Sequence, residues 1–226
     1  MDATIEKQLT TNSSQAIVSV EYVVLHSSSG PKSRIIDIFN DPESNKSCHF
    51  IIDDDGSIVQ TLEIYENGVA KGWHAGRSLL NDENGKIISE FNEFSIGIEL
   101  INKNCNVYEY SKPLLESLVF LIKYLKKKFP ALSHPGRIVG HEQISGYRGK
   151  VDPGHMFDWK WFYGQCYDGA AVANREPKMS PEYRDLMIRI QKLTENNVSQ
   201  KEVDGILREL SVYYQNNIGT SKLPIN

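Results

Sequence analysis

The stretch IVGHEQISGYRGKVDPGHMFDW, residues 138–159, joins a short apolar run that ends at His141 to a loop rich in glycine and polar residues. That loop carries Lys150 and Asp152 ahead of a Pro-Gly turn. Imidazole nitrogen and carboxylate oxygen are zinc ligands, and catalytic zinc sites typically have three protein ligands and one water. His141 and Asp152 are therefore predicted to be two ligands of a metal site whose third ligand lies elsewhere. Lys150 would direct a positive charge at an oxygen that becomes negative when water attacks a carbonyl.

Length and composition are those of an ordinary globular protein. The chain has 226 residues, of which 40% are hydrophobic and 24% charged, which predicts one domain with an appendage or two small domains. The net charge of -4 argues against nucleic acid as the main partner. The basic run at residues 126–128 falls at the end of a predicted helix, where lysines suit the helix dipole and the solvent.

The sequence indicates neither disulfides nor a membrane span. The three cysteines lack C-x-x-C spacing, so no disulfide framework is expected. No apolar run reaches the roughly 18 residues that a transmembrane helix needs. The first residues, MDATIEKQLTTNSSQ, lack the apolar core of a secretory signal. We expect a cytoplasmic protein, or a periplasmic or secreted one whose signal has been removed; the sequence does not distinguish these.

Several segments have the patterns of β-strands. Residues 16–25, AIVSVEYVVL, predict a strand covered on both faces that ends at His26, the same kind of position as that of His141. Residues 48–52 and 57–62 flank Asp-Asp-Asp-Gly and predict a β-hairpin. Residues 94–101, FSIGIELI, predict another strand.

Three polar residues in apolar surroundings each have two interpretations. Glu99, in the middle of residues 94–101, lies either on the solvent face of an edge strand or beside the metal as a general acid or base. His49 and His74 are either core histidines with satisfied hydrogen bonds or substrate contacts. The motif GWHAG around His74 suggests a close approach of the backbone or the wall of a cleft.

The remaining elements complete a fold of the α/β (α+β) class, a central mixed sheet flanked by helices with a helical C-terminal extension. Residues 111–129 have helical spacing with Ser111 as N-cap, residues 136–140 form a strand, and residues 157–163 form a short helix. We divide the chain into four parts: a polar, poorly ordered arm (1–15), the main domain (16–165), a linker (166–179) and the helical extension (180–226).

Five motifs in order resemble one family. They are VVLHSSS, SCHFIIDDDGSIVQ, GWHAGRS, FSIGIEL and GHEQISGYRGKVDPGHMFDW, spread over residues 16–165. The chain resembles the zinc-dependent N-acetylmuramoyl-L-alanine amidases of the AmpD and phage-lysozyme type, the Amidase_2 family, whose fold is shared with peptidoglycan recognition proteins. The resemblance implies hydrolysis of the amide between N-acetylmuramic acid, or its anhydro form, and L-Ala of the stem peptide. Peptidoglycan or a muropeptide is the implied partner.

The resemblance also implies roles for individual residues. His26, His141 and Asp152 match the ligands of one Zn²⁺. Glu99 matches the glutamate that assists the attacking water, and Lys150 matches the lysine that stabilises the oxyanion. Trp73, His74 and Arg77 are expected to line the substrate groove.

Two departures from the family pattern and two rival functions accompany this interpretation. The segment between His141 and Lys150 is one residue longer than in the family motif, which leaves the position of Lys150 open, although the Lys-x-Asp spacing to Asp152 is kept. Cys48 stands where phage relatives carry a tyrosine. The first rival is a non-catalytic peptidoglycan receptor of the same fold, which need not keep a complete ligand set. The second is an interaction protein, for which the helical extension is the only supporting feature. The oligomeric state and the choice between soluble and polymeric substrate stay open.

Overall fold

The computed structural model describes residues 4–14, 16–81, 86–102, 109–148, 150, 152–154, 156–167, 201 and 205. The strands in chain order are β1 (Ile5–Lys7), β2 (Ile17–Val18), β3 (Tyr22–Ser28), β4 (Phe50–Ile52), β5 (Ile58–Gln60), β6 (Ile64–Tyr65), β7 (Gly68–Ala70), β8 (Leu79–Asn81), β9 (Ile87–Ser89), β10 (Ser95–Ile101) and β11 (Ile138–Gly140). The helices are α1 (Lys32–Asn40), α2 (Lys112–Lys128), α3 (His141–Ser145) and α4 (Trp159–Cys166).

A six-stranded sheet in the order β1-β5-β4-β10-β3-β11 forms the centre of the fold. It is mixed: β4 and β5 form the predicted antiparallel hairpin, and β10 is parallel to both β3 and β4. β11 is parallel to β3. The predicted α/β class with a central mixed sheet is therefore confirmed. Because β3, β10 and β11 are parallel neighbours, their carboxyl ends lie at one edge of the sheet, where ligand sites of such sheets form.

The alternation of side chains along the strands separates the core from the site. In β10, Ile96, Ile98 and Leu100 are fully buried against the helical layer of α2 and α4. Because successive side chains of a strand point to opposite faces, Gly97 and Glu99 lie on the other face. The same alternation in β3 buries Val23 and Leu25 in the core and turns His26 to the face of Glu99.

Helix α2 covers the core face as predicted. Ser111 is its N-cap, and the Ser111 hydroxyl accepts the Leu114 N–H at 3.3 Å. Its buried residues are Leu114, Ser117, Leu118, Leu121, Ile122 and Leu125. The three lysines of residues 126–128 occupy the last turn, where the helix dipole favours cations.

The predicted strand over residues 16–25 is wrong in its continuity. Its first half is β2, which pairs antiparallel with β7 in a separate three-stranded sheet. Its second half is β3, which pairs with β10 as far as Ser28. The chain changes partner between the two halves, so the strand is interrupted. The strand also continues past His26, because Ser27 and Ser28 stay paired with β10 although their polar side chains suggest a loop.

The predicted poorly ordered arm is also wrong for the described residues 4–14. β1 pairs parallel with β5 at the edge of the central sheet. Beyond it, the N–H of Thr10 donates to the Thr61 carbonyl at 2.9 Å, and the buried Asn12 amide donates to the Asp41 carbonyl at 2.7 Å. The arm is ordered because strand pairing and hydrogen bonds attach it to the domain, and Ile5 packs against the core cluster.

The last predicted elements are described only in part. Helix α4 runs to Cys166, and Tyr167 is buried in the core cluster, so the packed domain extends past the predicted boundary at residue 165. Within the predicted linker and extension, only Lys201 and Gly205 are otherwise described, and both are helical; the rest lies outside the described residues. None of the described helices has the length and hydropathy to span a membrane.

Candidate active site

Three side chains from different elements meet at the carboxyl edge of the sheet. His26 comes from β3, His141 is the first residue of α3, and Asp152 follows in the segment that returns from α3. Nδ1 of His26 lies 3.1 Å from Nδ1 of His141 and 3.2 Å from Oδ2 of Asp152. Nδ1 of His141 lies 3.0 Å from the same Asp152 oxygen. The three atoms form a nearly equilateral triangle.

This triangle fits a metal ion better than hydrogen bonds alone. Each of the three atoms can offer a lone pair, and one proton can bridge only one pair of them, whereas a shared cation satisfies all three. Ligands at about 2.0–2.2 Å from a tetrahedral zinc ion lie roughly 3.3–3.6 Å from one another, close to the observed separations of 3.0–3.2 Å. His26, His141 and Asp152 are thus a group that could hold a metal ion.

The segment between His141 and Asp152 is helical at its start, where the sequence pattern predicted a loop. α3 begins directly at His141. The chain then returns, and the Glu142 N–H donates to the Asp152 carbonyl at 2.8 Å. This bond ties the returning segment to the first turn of α3 and brings Asp152 beside His141.

Burial and charge act differently on these groups. Desolvation, reinforced by neighbouring His141, lowers the pKa of His26 to about 4, so its imidazole is neutral near pH 7. Burial alone would raise the pKa of Asp152, but the neighbouring imidazoles of His141 and His26, at 3.0 and 3.2 Å from Oδ2, hold that pKa below its usual range. A neutral imidazole and an ionised carboxylate are the protonation states that bind metals.

Glu99 lies in the interior of the sheet, which rules out an edge strand. Its Cα pairs with that of His26 across β10 and β3. Ser28 Oγ donates to Glu99 Oε2 at 2.9 Å, and Cys48 Sγ lies 3.7 Å from Oε1. Burial, together with the negative charge of Asp152, raises the pKa of Glu99 to about 7. A carboxyl with a pKa near neutrality can both take up and release a proton.

A cleft of about 370 Å³ opens above the triangle. Glu99 and Lys150 line it together with the three converging side chains. The extra residue in the preceding segment therefore does not remove Lys150 from the cleft. Trp73 stands on the rim with 36% of its surface exposed.

The other two predicted groove residues differ from Trp73. Arg77 is not among the residues that line the cleft; its carbonyl accepts from Arg148 Nη1 at 2.7 Å and from Ser145 Oγ at 3.0 Å. Arg148, which the sequence pattern did not single out, lines the cleft instead. His74 lines the cleft, but its Nδ1 lies 3.1 Å from Nε2 of His26.

His49 is a core histidine with satisfied hydrogen bonds. Its Nε2–H donates to the Ala70 carbonyl at 2.9 Å, and its Nδ1 accepts the Gly97 N–H at 3.0 Å. Its side chain is fully buried. Of the two interpretations, the structure therefore supports the core role for His49.

Comparison with known proteins decides the family. The family model Amidase_2, described as N-acetylmuramoyl-L-alanine amidase, matches residues 16–155. The chain belongs to the Amidase_2 family. The resemblance seen in the five motifs is thereby confirmed, and the activity of this protein is that of an N-acetylmuramoyl-L-alanine amidase.

Individual relatives agree with this assignment. N-acetylmuramoyl-L-alanine amidase A of Achromobacter lyticus is 25% identical over 175 residues, which cover 70% of this chain and 89% of the relative. A crystal structure of a selenomethionine derivative of AmpD has a TM-score of 0.57 at 25% identity and covers 71% of this chain and 93% of AmpD. AmiD from E. coli shares the fold, with a TM-score of 0.54, 20% identity and coverage of 90% and 93%.

Gly97 keeps space free for the His74 ring of this amidase. A Cβ at Gly97 would lie 2.5 Å from Cγ of His74 and 2.9 Å from Sγ of Cys48. We expect Gly97→Ala to lower the free energy of unfolding of the protein, measured with a chelator present, by about 1–3 kcal/mol, because the added methyl overpacks this contact. Urea unfolding measures the change.

Gly164 provides the matched control. A Cβ at Gly164 in α4 meets no atom within 4 Å, so Gly164→Ala should stabilise the protein by about 0.5–1 kcal/mol through helix propensity. If Gly97→Ala were as stable as the parent protein, the close packing of His74 on Gly97 would be contradicted.

Proposed function

We propose that this amidase hydrolyses the bond between N-acetylmuramic acid and L-Ala with one zinc ion held by His26, His141 and Asp152. The observation that carries the proposal is the convergence of two imidazole nitrogens and one carboxylate oxygen within 3.0–3.2 Å of one another. Two nitrogens and one oxygen suit zinc better than magnesium or calcium, which prefer oxygen ligands. The ion would polarise the amide carbonyl and acidify water.

Glu99 is the proposed general base and general acid. With a pKa raised to about 7, it takes one proton from the attacking water and passes it to the nitrogen of the leaving L-alanine. The carbon–nitrogen bond breaks, and the products are the carboxylic acid of the sugar and a free peptide amine. Ser28 holds one oxygen of Glu99 by its hydrogen bond, so the carboxyl group is oriented before substrate binds.

Lys150 is proposed to stabilise the negative charge that develops on the oxygen of the amide carbonyl. It lines the same cleft as Glu99, and its charge lowers the pKa of that carboxyl against the effect of burial. When the amide carbonyl becomes an oxyanion, a fixed ammonium group in the cleft stabilises it without reorganisation. We therefore propose that Lys150 stabilises the transition state of the hydrolysis.

The relatives support a muropeptide as substrate. The compared structure of AmiD is a complex with anhydro-N-acetylmuramic acid-L-Ala-D-gamma-Glu-L-Lys, and one structure of AmpDh3 from Pseudomonas aeruginosa contains an anhydromuramic pentapeptide. We propose that the cleft of this amidase takes the same class of molecule, an N-acetylmuramic acid or its anhydro form that carries a stem peptide.

Removal and return of zinc test the proposal. Protein treated with a chelator should release no peptide from an anhydromuramoyl tripeptide, and about one equivalent of zinc should restore the activity. Parallel assays with soluble muropeptide and with insoluble peptidoglycan would show which form is hydrolysed. If zinc-loaded protein bound both substrates and cleaved neither, the chain would be a receptor and the proposed mechanism would be wrong.

A further inference from the structure

His74 connects His26 to the interior of the protein through a row of hydrogen bonds. Nε2 of His26 lies 3.1 Å from Nδ1 of His74. On the other side of the His74 ring, Nε2 lies 3.4 Å from Oγ of Ser95. Ser95 Oγ in turn contacts the carbonyl of Phe91. The row therefore runs from the candidate metal ligand His26 to a backbone carbonyl.

The Phe91 carbonyl determines the direction of the hydrogen bonds in this row. A carbonyl can only accept, so the single hydroxyl hydrogen of Ser95 donates to Phe91. Oγ of Ser95 is then an acceptor, and His74 must carry its proton on Nε2. A neutral imidazole has one N–H, so Nδ1 of His74 is an acceptor. Nε2 of His26 consequently carries the proton of that ring.

This arrangement decides which nitrogen of His26 is free. With the proton on Nε2, the lone pair of His26 is on Nδ1, the atom that lies 3.1 Å from Nδ1 of His141 and 3.2 Å from Oδ2 of Asp152. His141 has the same tautomer, because its Nε2 lies 3.3 Å from the Ala75 carbonyl. That carbonyl can only accept a hydrogen bond, so Nε2 of His141 carries the proton and Nδ1 has the lone pair. Both histidines thus present Nδ1 to the same point.

The surroundings hold the His74 ring in place. Oδ1 of Asn92 accepts the backbone N–H groups of His74 at 3.1 Å and of Ala75 at 2.8 Å. The ring packs on Gly97, where a Cβ would lie 2.5 Å from its Cγ. The backbone of His74 is thus held by Asn92, and its ring is held against Gly97.

We propose that His74 is a positioning residue that accepts the Nε2–H of His26 and so directs the Nδ1 lone pair of His26 at the metal. Partners of this kind raise the affinity of a metal site by orienting its ligands, and their removal typically weakens binding about 10- to 100-fold. The inference replaces the predicted substrate contact of His74, and it rests on the metal site of the proposed function.

Two substitutions separate hydrogen bonding from packing. His74→Leu keeps an apolar side chain in the space of the ring but offers no acceptor, and it should weaken zinc binding by about 10- to 100-fold. His74→Asn places a carbonyl oxygen near the position of Nδ1, and its zinc affinity should stay within about threefold of the parent affinity. Competition with a chromogenic chelator measures both affinities on the full chain, and thermal unfolding in excess chelator shows that each variant is folded.

The tautomer of His26 gives a readout that packing alone would not change. Long-range ¹H–¹⁵N spectra of the zinc-free parent should show His26 protonated on Nε2, and the spectra of His74→Leu should show a mixture of tautomers. The proposal is overturned if zinc-free parent protein has its His26 proton on Nδ1, which can be measured even if His74→Leu does not fold.

Two further results would also overturn the proposal. One is parent-like zinc affinity in folded His74→Leu, and the other is an equal loss of affinity in folded His74→Leu and His74→Asn. These outcomes leave the proposed function intact. A parent protein that binds no zinc would instead contradict the proposed function itself.

Discussion

Glu99→Gln should lower kcat for amide hydrolysis by about 10²- to 10⁴-fold, the usual contribution of a general acid–base group. Glutamine has the shape of glutamate, and its amide can keep a hydrogen bond with Ser28 Oγ, which lies 2.9 Å from Oε2 in the parent. It cannot take a proton from water. Zinc content should be unchanged, because Glu99 is not one of the three converging side chains that could hold the metal. Peptide release from a muropeptide and metal analysis on the same sample give both quantities.

The pH dependence of the parent gives an independent check on Glu99. The base must be ionised, so kcat/KM should rise with pH through the pKa of Glu99. Burial raises that pKa to about 7, and a bound cation nearby would lower it again, so the midpoint should lie at or below pH 7. If Glu99→Gln kept the kcat of the parent and the same fall of kcat/KM at low pH, another group would be the base.

His141→Ala should abolish both zinc binding and activity. It removes one corner of the triangle and leaves Nδ1 of His26 with only Oδ2 of Asp152, at 3.2 Å. Two ligands bind zinc much more weakly than three, so the loss of affinity should exceed the roughly 10- to 100-fold expected for an outer partner of the site. Chelator competition measures the zinc affinity, and circular dichroism of the zinc-free proteins compares their folding.

His134→Ala is the matched control for this experiment. His134 is an exposed histidine that accepts the Gly136 N–H at 3.1 Å and is not part of the candidate metal group. Its removal should leave zinc affinity and peptide release at the parent values. If His141→Ala and His134→Ala bound zinc equally well, the zinc of the parent would have to be held elsewhere.

The main features of the site could be predicted because its residues follow apolar runs. His26, Glu99 and His141 each lie at or near the carboxyl end of a run with strand character. Parallel neighbouring strands bring such ends to one edge of a sheet, and the register then pairs Glu99 with His26. The stretch 138–159 itself indicated Asp152 and Lys150, both of which line the cleft, and the family motifs added the ligand role of His26.

The residues that were missed or misassigned lie in loops or depend on contacts between distant segments. Arg148 reaches the cleft because α3 is followed by another turn of chain, whereas Arg77 is not among the residues that line it. The hydroxyl of Ser28 meets Glu99 only because β3 continues past His26. Loops lack the periodicity that predicts the direction of a side chain, so residue type alone could not separate these cases.

By itself, the sequence determined the fold class, the helix α2, the hairpin of β4 and β5, and the family of this amidase. The first three depend on local patterns, because the spacing of apolar residues is set by the repeat of a helix or strand. The family followed from the resemblance of five ordered motifs. Only the tertiary structure decided which partner each strand has, that the arm before residue 15 joins the sheet, and that His74 contacts His26. Such contacts join residues far apart in the chain, and their distances and hydrogen-bond directions exist only once the whole domain has packed.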